Sequence, residues 1–201
     1  LLDAGCGWKS SIIERFSNED IKIIGTDIDI DALADNVTHN NKLGSDLEKL
    51  PFKDCTFDII ISKCVFEHIE KPEVVFREFS RVLKKGGCII AIFPNIYNPV
   101  MLVGKLTPLY MHKKLMRTAS NIHEEDIYHT YFRCNSVRTL DIMLNKIGFV
   151  REELKPSGDF ILFMFSRVSF HLWIIFDKLT NNRYLKFTKM NICICYKKRG
   201  H

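Results

Sequence analysis

The chain opens on Leu1-Leu2-Asp3-Ala4-Gly5-Cys6-Gly7, and this stretch constrains the fold more than any other. Two apolar residues run into an acid and then into a turn with glycine at alternate positions. That is the pattern of a buried strand whose C-terminal end opens into a tight loop beneath a ligand. Polar Trp8-Lys9-Ser10-Ser11 and the periodic Ile12-Ile13…Phe16 continue it as a helix. Strand, glycine turn and helix in this order build the crevice in which doubly wound sheets hold nucleotide-like molecules.

The downstream pattern supplies the rest of such a sheet. Ile21-Lys22-Ile23-Ile24-Gly25-Thr26-Asp27 reads as a second strand ending in an acid, 20 residues past Gly7, where an acid meets ribose hydroxyls in a βαβ unit. Ala32-Leu33-Ala34 and Val37 follow at helical spacing, and a short third strand is expected to include Gly44-Ser45-Asp46-Leu47. Thr56 to Ser62 is a continuous apolar run, the mark of a parallel strand buried on both faces. Pro72 opens a helix with Val74-Val75-Phe76, Phe79 and Val82-Leu83 on its apolar face, and Gly86-Gly87 are expected to stop it. Cys88–Phe93 is the fifth strand, closed by Pro94. Four such alternations predict right-handed crossovers and a parallel sheet.

After Pro94 the character changes, so residues 1–97 read as a cofactor-binding core and 98–135 as an inserted cap. The cap carries Met101, Met111, Met116 and the cluster His123-Glu124-Glu125-Asp126-Ile127-Tyr128-His129. Residues 136–201 resume regular structure: a helix capped by Ser136 and ended by Gly148, then strands at Phe149–Leu154 and Asn191–Tyr196. The expected fold is therefore a single α/β domain. Its sheet is Rossmann-like, doubly wound, seven-stranded and mostly parallel, with an antiparallel last strand. The chain begins without Met inside a strand, and an upstream helix covering sheet and cofactor is expected to precede it.

Composition excludes several classes. A net charge of +5 is spread over short clusters such as Lys84-Lys85 and Lys197-Lys198-Arg199, with no aromatic interleaving, so no nucleic-acid partner is expected. The seven cysteines form no C-x-x-C and no Cys/His ligand spacing, which argues for a reducing cytoplasm and against zinc, other metals and disulfides. The stretch from Phe160 to Leu179 reaches membrane-spanning length, but Arg167 and His171 near its centre make spanning costly. A wall over the active site, a dimer contact or a helix lying at a membrane interface costs less. Monomer and homodimer both remain open, and a cytoplasmic, membrane-peripheral location is compatible with either.

The glycine turn alone serves NAD, FAD or S-adenosylmethionine. Two local features separate them. Ser10 stands where a dinucleotide site has its third glycine, and Asp3 lies two residues before Gly5. A carboxylate there repels a pyrophosphate but favours the ammonium and sulfonium of S-adenosylmethionine.

Leu2–Gly7, Gly25-Thr26-Asp27-Ile28, Asp46–Phe52, Asp54–Asp58, Glu67-His68 and Arg81–Gly87 stand in order along residues 1–97. Together they resemble class I S-adenosylmethionine-dependent methyltransferases, in particular the small quinone-biosynthesis-like domains. Lys85 replaces the family's usual proline before Gly86. The resemblance implies that Asp3, Gly5, Cys6 and Gly7 hold the methionine part, Asp27 the ribose, Ile28 and Leu47 the adenine faces, and Asp46 its amino group. Ser62 and Lys63 would face the methionine portion and the acceptor entrance.

Methyl transfer needs an acceptor lone pair held in line, and a base only where the acceptor must lose a proton. His68 is the first candidate base, with His123 and His129 in the cap beside it. Glu67, Tyr131 and Arg133 are candidates for binding the acceptor, Arg133 by gripping a phosphate or carboxylate. His123…Asp126…Tyr131-Phe132-Arg133-Cys134-Asn135 resembles a cap segment of methyltransferases from polysaccharide and lipid-glycan gene neighbourhoods. A small-molecule, sugar- or lipid-linked acceptor, methylated at a hydroxyl, is the resulting expectation. A NAD-dependent oxidoreductase and a non-catalytic methyltransferase-fold subunit are the rivals.

Overall fold

The computed structural model describes residues 1–10, 13, 21–99, 128–157, 167–182 and 185–200. His123, Asp126, the three cap methionines and residues 160–166 of the apolar segment lie outside the described residues. Seven strands form one sheet in the order β3-β2-β1-β4-β5-β7-β6. They are β1 (Leu2–Ala4), β2 (Ile24–Asp27), β3 (Lys42–Gly44), β4 (Phe57–Lys63), β5 (Leu83–Pro94), β6 (Phe149–Ser157) and β7 (Asn191–Lys198). β1 to β5 pair in parallel, and β7 runs antiparallel to both β5 and β6, as the sequence pattern led us to expect.

Four described helices flank it: α1 (Ile30–Asp35), α2 (Pro72–Val82), α3 (Val137–Lys146) and α4 (Arg167–Thr180). Helix α2 starts with proline at its first turn and buries Val75, Phe76, Phe79 and Val82, one stripe at helical spacing. That stripe meets Leu2, Ile60, Ile89 and Phe93 of the sheet, with Phe66 stacked on Phe93 at 5.4 Å between ring centroids. Helix α3 begins at Ser136, whose hydroxyl accepts from the Thr139 amide at 3.2 Å, and Gly148 takes a left-handed φ of +91° just beyond its end. α3 buries Leu140 and Leu144 against the same core, and Tyr196 of β7 donates its hydroxyl to Asp141 at 2.6 Å. Among the described residues no helix is long and apolar enough to cross a membrane.

Three expectations need correction. Helix α2 stops at Val82, not at Gly86-Gly87, and β5 starts at once with Leu83. The glycines sit inside the strand. Phe57 pairs with Leu83 and Ile59 with Cys88, so β5 accommodates its extra residues in a bulge. Gly86 takes φ +75° there, and a Cβ on Gly87 would stand 2.8 Å from the Asp58 carbonyl oxygen. Strand β3 ends at Gly44, leaving Asp46 and Leu47 in the following turn. No helix separates β3 from β4, so the strand-helix alternation is interrupted. Residues 45–56 are instead held by Arg81, which donates to the carbonyls of Leu50 and Phe52 and to Asp54 and Glu78. A guanidinium presents enough donors to pin a loop that has no ladder of its own.

Candidate active site

The strand order reverses at β1: the chain passes through β2 and β3 on one side and β4 and β5 on the other. Ligands bind in doubly wound sheets at the carboxyl ends of the strands at such a point. The turn after β1 is built almost wholly from backbone. Gly5 takes φ +77° and Gly7 φ +51°, conformations that favour glycine. The Gly5 and Cys6 amides donate to the Thr26 carbonyl at 2.8 and 3.0 Å, and the Gly7 amide donates to Asp27 Oδ2 at 2.7 Å. Asp27 Oδ1 accepts the Asp29 amide at 3.0 Å. Val65, just past β4, closes over Gly5 so tightly that a Cβ there would stand 2.3 Å from its Cγ2.

A side-chain network braces the turn from residues the sequence reading passed over. Asn36 Nδ2 donates to the Gly7 carbonyl at 2.6 Å, while its Oδ1 accepts the Thr38 amide at 2.9 Å and the His39 amide at 3.2 Å. Thr38 Oγ1 accepts the Ser10 amide at 3.2 Å. His39 is buried with its ring so close that a Cβ on Gly25 would stand 2.8 Å from it, and its Nε2 lies 3.1 Å from Asp3 Oδ2, a contact in which neither atom completes a hydrogen bond. Asp3 is therefore buried with one oxygen turned toward His39, a partner that nothing in the sequence pattern signals. Cys6 is buried too, and burial, then Asp3, push its thiol up to about 12, so it packs and does not react.

Around this turn, Ile28 is 69% exposed beside Asp27. Asp46 is exposed, its Oδ1 accepting the Glu48 amide at 2.8 Å, and Leu47 beside it is half-buried. The Ser45 amide ties this turn to the Asp27 carbonyl at 2.9 Å. Ser62 is buried and donates to the Ala4 carbonyl at 3.0 Å, joining β4 to β1, whereas Lys63 is exposed.

The other half of the site follows β4 in a single 3-10 turn, Phe66–His68. Glu67 is buried with Oε2 unpartnered and Oε1 4.0 Å from His68 Nε2. Burial pushes its carboxyl up to about 7. Burial also lowers the pKa of His68, outweighing the opposing effect of the His129 carbonyl. His68 Nδ1 bonds that carbonyl at 2.8 Å, and a carbonyl only accepts, so Nδ1 carries the proton and Nε2 keeps its lone pair.

Residues 128–135 lie across the strand ends as a strap. Tyr128 donates its hydroxyl to Asp29 Oδ2 and sets its ring edge-on to His68, with 5.9 Å between centroids. The amides of Tyr131 and Phe132 donate to the Glu67 carbonyl at 2.7 and 3.1 Å. His129 packs on Tyr131 at 4.5 Å, and the exposed Arg133 lies over the Tyr131 ring while donating to the Glu70 carbonyl at 2.7 Å. His68, His129, Glu67 and Tyr131 thus meet, while Arg133 sits at the outer edge. Among the described residues no three side chains suited to a metal ion come together.

Residues 2–91 match the methyltransferase domain family. The ubiquinone/menaquinone biosynthesis C-methyltransferase of Nitrosospira multiformis is 30% identical over 128 residues, covering 60% of this chain and 51% of that protein. Phosphoethanolamine N-methyltransferase 3 of Arabidopsis thaliana is 29% identical over 97 residues, 45% of this chain and 20% of that one. Among solved structures, an S-adenosylmethionine dependent methyltransferase from Mesorhizobium loti shares the fold with a TM-score of 0.65. It is 14% identical, over 98% of this chain and 89% of that one. Residues 2–91 are thus a methyltransferase domain by sequence, and the whole chain carries the fold of the S-adenosylmethionine dependent methyltransferases. The chain spans about half the length, or less, of these two curated relatives.

The residues around the turn fit S-adenosylmethionine. Carboxylates flank the turn, which favours a cation over a pyrophosphate. Gly7 has open space where a Cβ would project, so its backbone can be approached closely. Asp27 accepts one amide on each oxygen and retains lone pairs for further donors such as ribose hydroxyls. The exposed Ile28 offers apolar surface beside it.

Proposed function

We propose that this methyltransferase acts on a hydroxyl of a small, sugar- or lipid-linked acceptor, with His68 taking the hydroxyl proton. The observation that carries this reading is the His129 carbonyl on His68 Nδ1, which leaves Nε2 as a neutral, oriented proton acceptor. S-adenosylmethionine, held by the Gly5–Gly7 turn, Asp27 and Ile28, with Asp46 and Leu47 at the adenine side, supplies an electrophilic methyl group. His68 Nε2 accepts the proton as the acceptor oxygen becomes nucleophilic, and Glu67 Oε1, 4.0 Å away, steadies the imidazolium that forms. Tyr131 and His129 supply ring surface for the acceptor, and Arg133 gives an anionic substituent a place to bind at the rim.

The lipid-linked variant of the reading draws on α4. Leu172, Ile175 and Leu179 recur at helical spacing and are 61%, 54% and 65% exposed, an apolar stripe suited to a membrane surface. Sedimentation with lipid vesicles tests this variant: binding is expected, and no binding beyond a soluble control contradicts it. The reaction itself is tested with labelled S-adenosylmethionine and an extract of candidate acceptors. Methyl transfer that falls about a hundredfold in His68→Ala, with S-adenosylhomocysteine binding retained, supports the assignment. Undiminished transfer removes His68 from the base role.

A further inference from the structure

We propose that His39 is a positioning residue for the cofactor: its charge sets how strongly Asp3 attracts the methionine ammonium, and cofactor binding expels one of its ring protons to solvent. The inference rests on the methionine part of S-adenosylmethionine lying against the Gly5–Gly7 turn.

The His39 side chain is fully buried and that of Asp3 nearly so, with Nε2 and Oδ2 in contact but no hydrogen bond completed. What passes between the two groups is therefore mainly Coulombic, and burial keeps water and salt from screening it. A neutral His39 leaves Asp3 its full negative charge, whereas an imidazolium cancels most of it. Three other titratable groups share the neighbourhood. Cys6 Sγ stands with the His39 ring beside Gly25, and burial pushes its thiol up to about 12, so it stays neutral. Asp27 accepts the Gly7 and Asp29 amides. Lys42 Nζ is engaged by the Ala34 and Asn36 carbonyls at 3.0 and 2.7 Å.

The far nitrogen of the ring is served by a hydroxyl rotor. His39 Nδ1 lies 3.2 Å from Asn36 Oδ1 and 3.0 Å from Thr38 Oγ1. The Asn36 amide is fixed in direction, because its Nδ2 donates to the Cys6 and Gly7 carbonyls, so its Oδ1 accepts. Thr38 Oγ1 takes the Ser10 amide and has one proton of its own, which points either to Asn36 Oδ1 at 2.7 Å or to Nδ1. With that proton on Asn36, Nδ1 faces two acceptors and donates. A bare Nε2 lone pair against Asp3 is unfavourable, so both ring nitrogens then carry hydrogen and His39 is an imidazolium. With the proton on Nδ1, that nitrogen accepts, and a neutral His39 still presents Nε2–H to Asp3. The site thus holds both charge states by turning one hydroxyl. An ammonium arriving at Asp3 repels the imidazolium, so Nδ1 gives its proton to solvent and the Thr38 hydroxyl turns to the ring. By linkage, a proton on His39 weakens cofactor binding to the same degree.

Calorimetric titration between about pH 5 and about pH 8, the span in which an imidazole changes charge, reads this linkage. S-adenosylhomocysteine, which keeps the ammonium, is compared with 5′-methylthioadenosine, which keeps the adenosine and lacks the amino-acid part. Affinity for the first is expected to tighten about tenfold as pH rises, while affinity for the second stays level. Titrations in two buffers of different protonation enthalpy are expected to show proton release with the first ligand alone. His39→Gln, which keeps a donor for Asp3 but cannot change charge, is expected to level the profile. Thr38→Val, which removes the hydroxyl that the neutral ring needs, is expected to move the rise to higher pH, so the result does not hang on one substitution. A level wild-type profile overturns the inference, as does an undiminished slope in His39→Gln or an unshifted rise in Thr38→Val. Equal slopes for the two ligands put the titrating group away from the methionine part and overturn it too. Failure of S-adenosylhomocysteine to bind at any pH removes the premise itself, and the inference falls with it.

Discussion

The two halves of the site are built by different means. The cofactor half is a backbone device: glycine conformations, main-chain amides on Thr26 and Asp27, and Asn36 clamping the Gly7 carbonyl, all within the first 39 residues. The acceptor half is assembled over long separations. His68 meets His129 across 61 residues, and Tyr128 meets Asp29 across 99. The first half is therefore written into local spacing. The second depends on contacts between segments far apart in the chain.

Gly5→Ala should break the cofactor half most severely. The added methyl would overlap Val65 and be forced into a left-handed backbone, at a cost of about 3 kcal/mol. Chemical denaturation measures the loss. Adding Val65→Ala should recover only the part due to overlap, about 1 kcal/mol, and full recovery would show that backbone strain is absent.

Glu67→Gln probes the acceptor half through pH. The folded carboxyl titrates at about 7 against an ordinary 4.5, so the folded chain binds this proton more tightly than the unfolded one. Its contribution is complete below pH 4.5 and is lost as pH rises to 7, by about 3 kcal/mol at most. The stability of the wild type should fall relative to that of the Gln variant across that window. Parallel curves would mean that Glu67 is solvated.

Asn36→Ala should cost about 2 kcal/mol and weaken cofactor binding, since the Gly7 carbonyl loses its clamp and two amides lose their acceptor. Calorimetry of the variant tests both parts; a stability loss with unaltered affinity would confine the network to folding. Ser136→Ala, remote from both halves, should cost about 1 kcal/mol through its helix cap and leave binding untouched.

The same division decides what the sequence made legible. The glycine turn, Asp27 at its fixed distance, the buried run of β4 and the Ser136 and Gly148 boundaries are local signals, and the structure carries each. Gly86-Gly87 misled because a glycine pair ends a helix or makes a bulge with equal ease, and only pairing with β4 selects the bulge. The strand-helix alternation breaks before β4, where Arg81, from a later helix, holds the connecting loop. His39 has no sequence signature, being a lone histidine past a short helix that acquires meaning only when β1 brings Asp3 to it. The strap contacts follow from chain crossing, which no periodicity encodes.

The central claim is that the Gly5–Gly7 turn and Asp27 hold S-adenosylmethionine. Calorimetric titration of the wild type and Asp27→Ala with S-adenosylhomocysteine, and of the wild type with NAD, tests it most directly. Binding of S-adenosylhomocysteine that falls at least a hundredfold in the variant, with no binding of NAD, is the predicted result. Equal affinity of the two proteins for S-adenosylhomocysteine, or tighter binding of NAD, would contradict it.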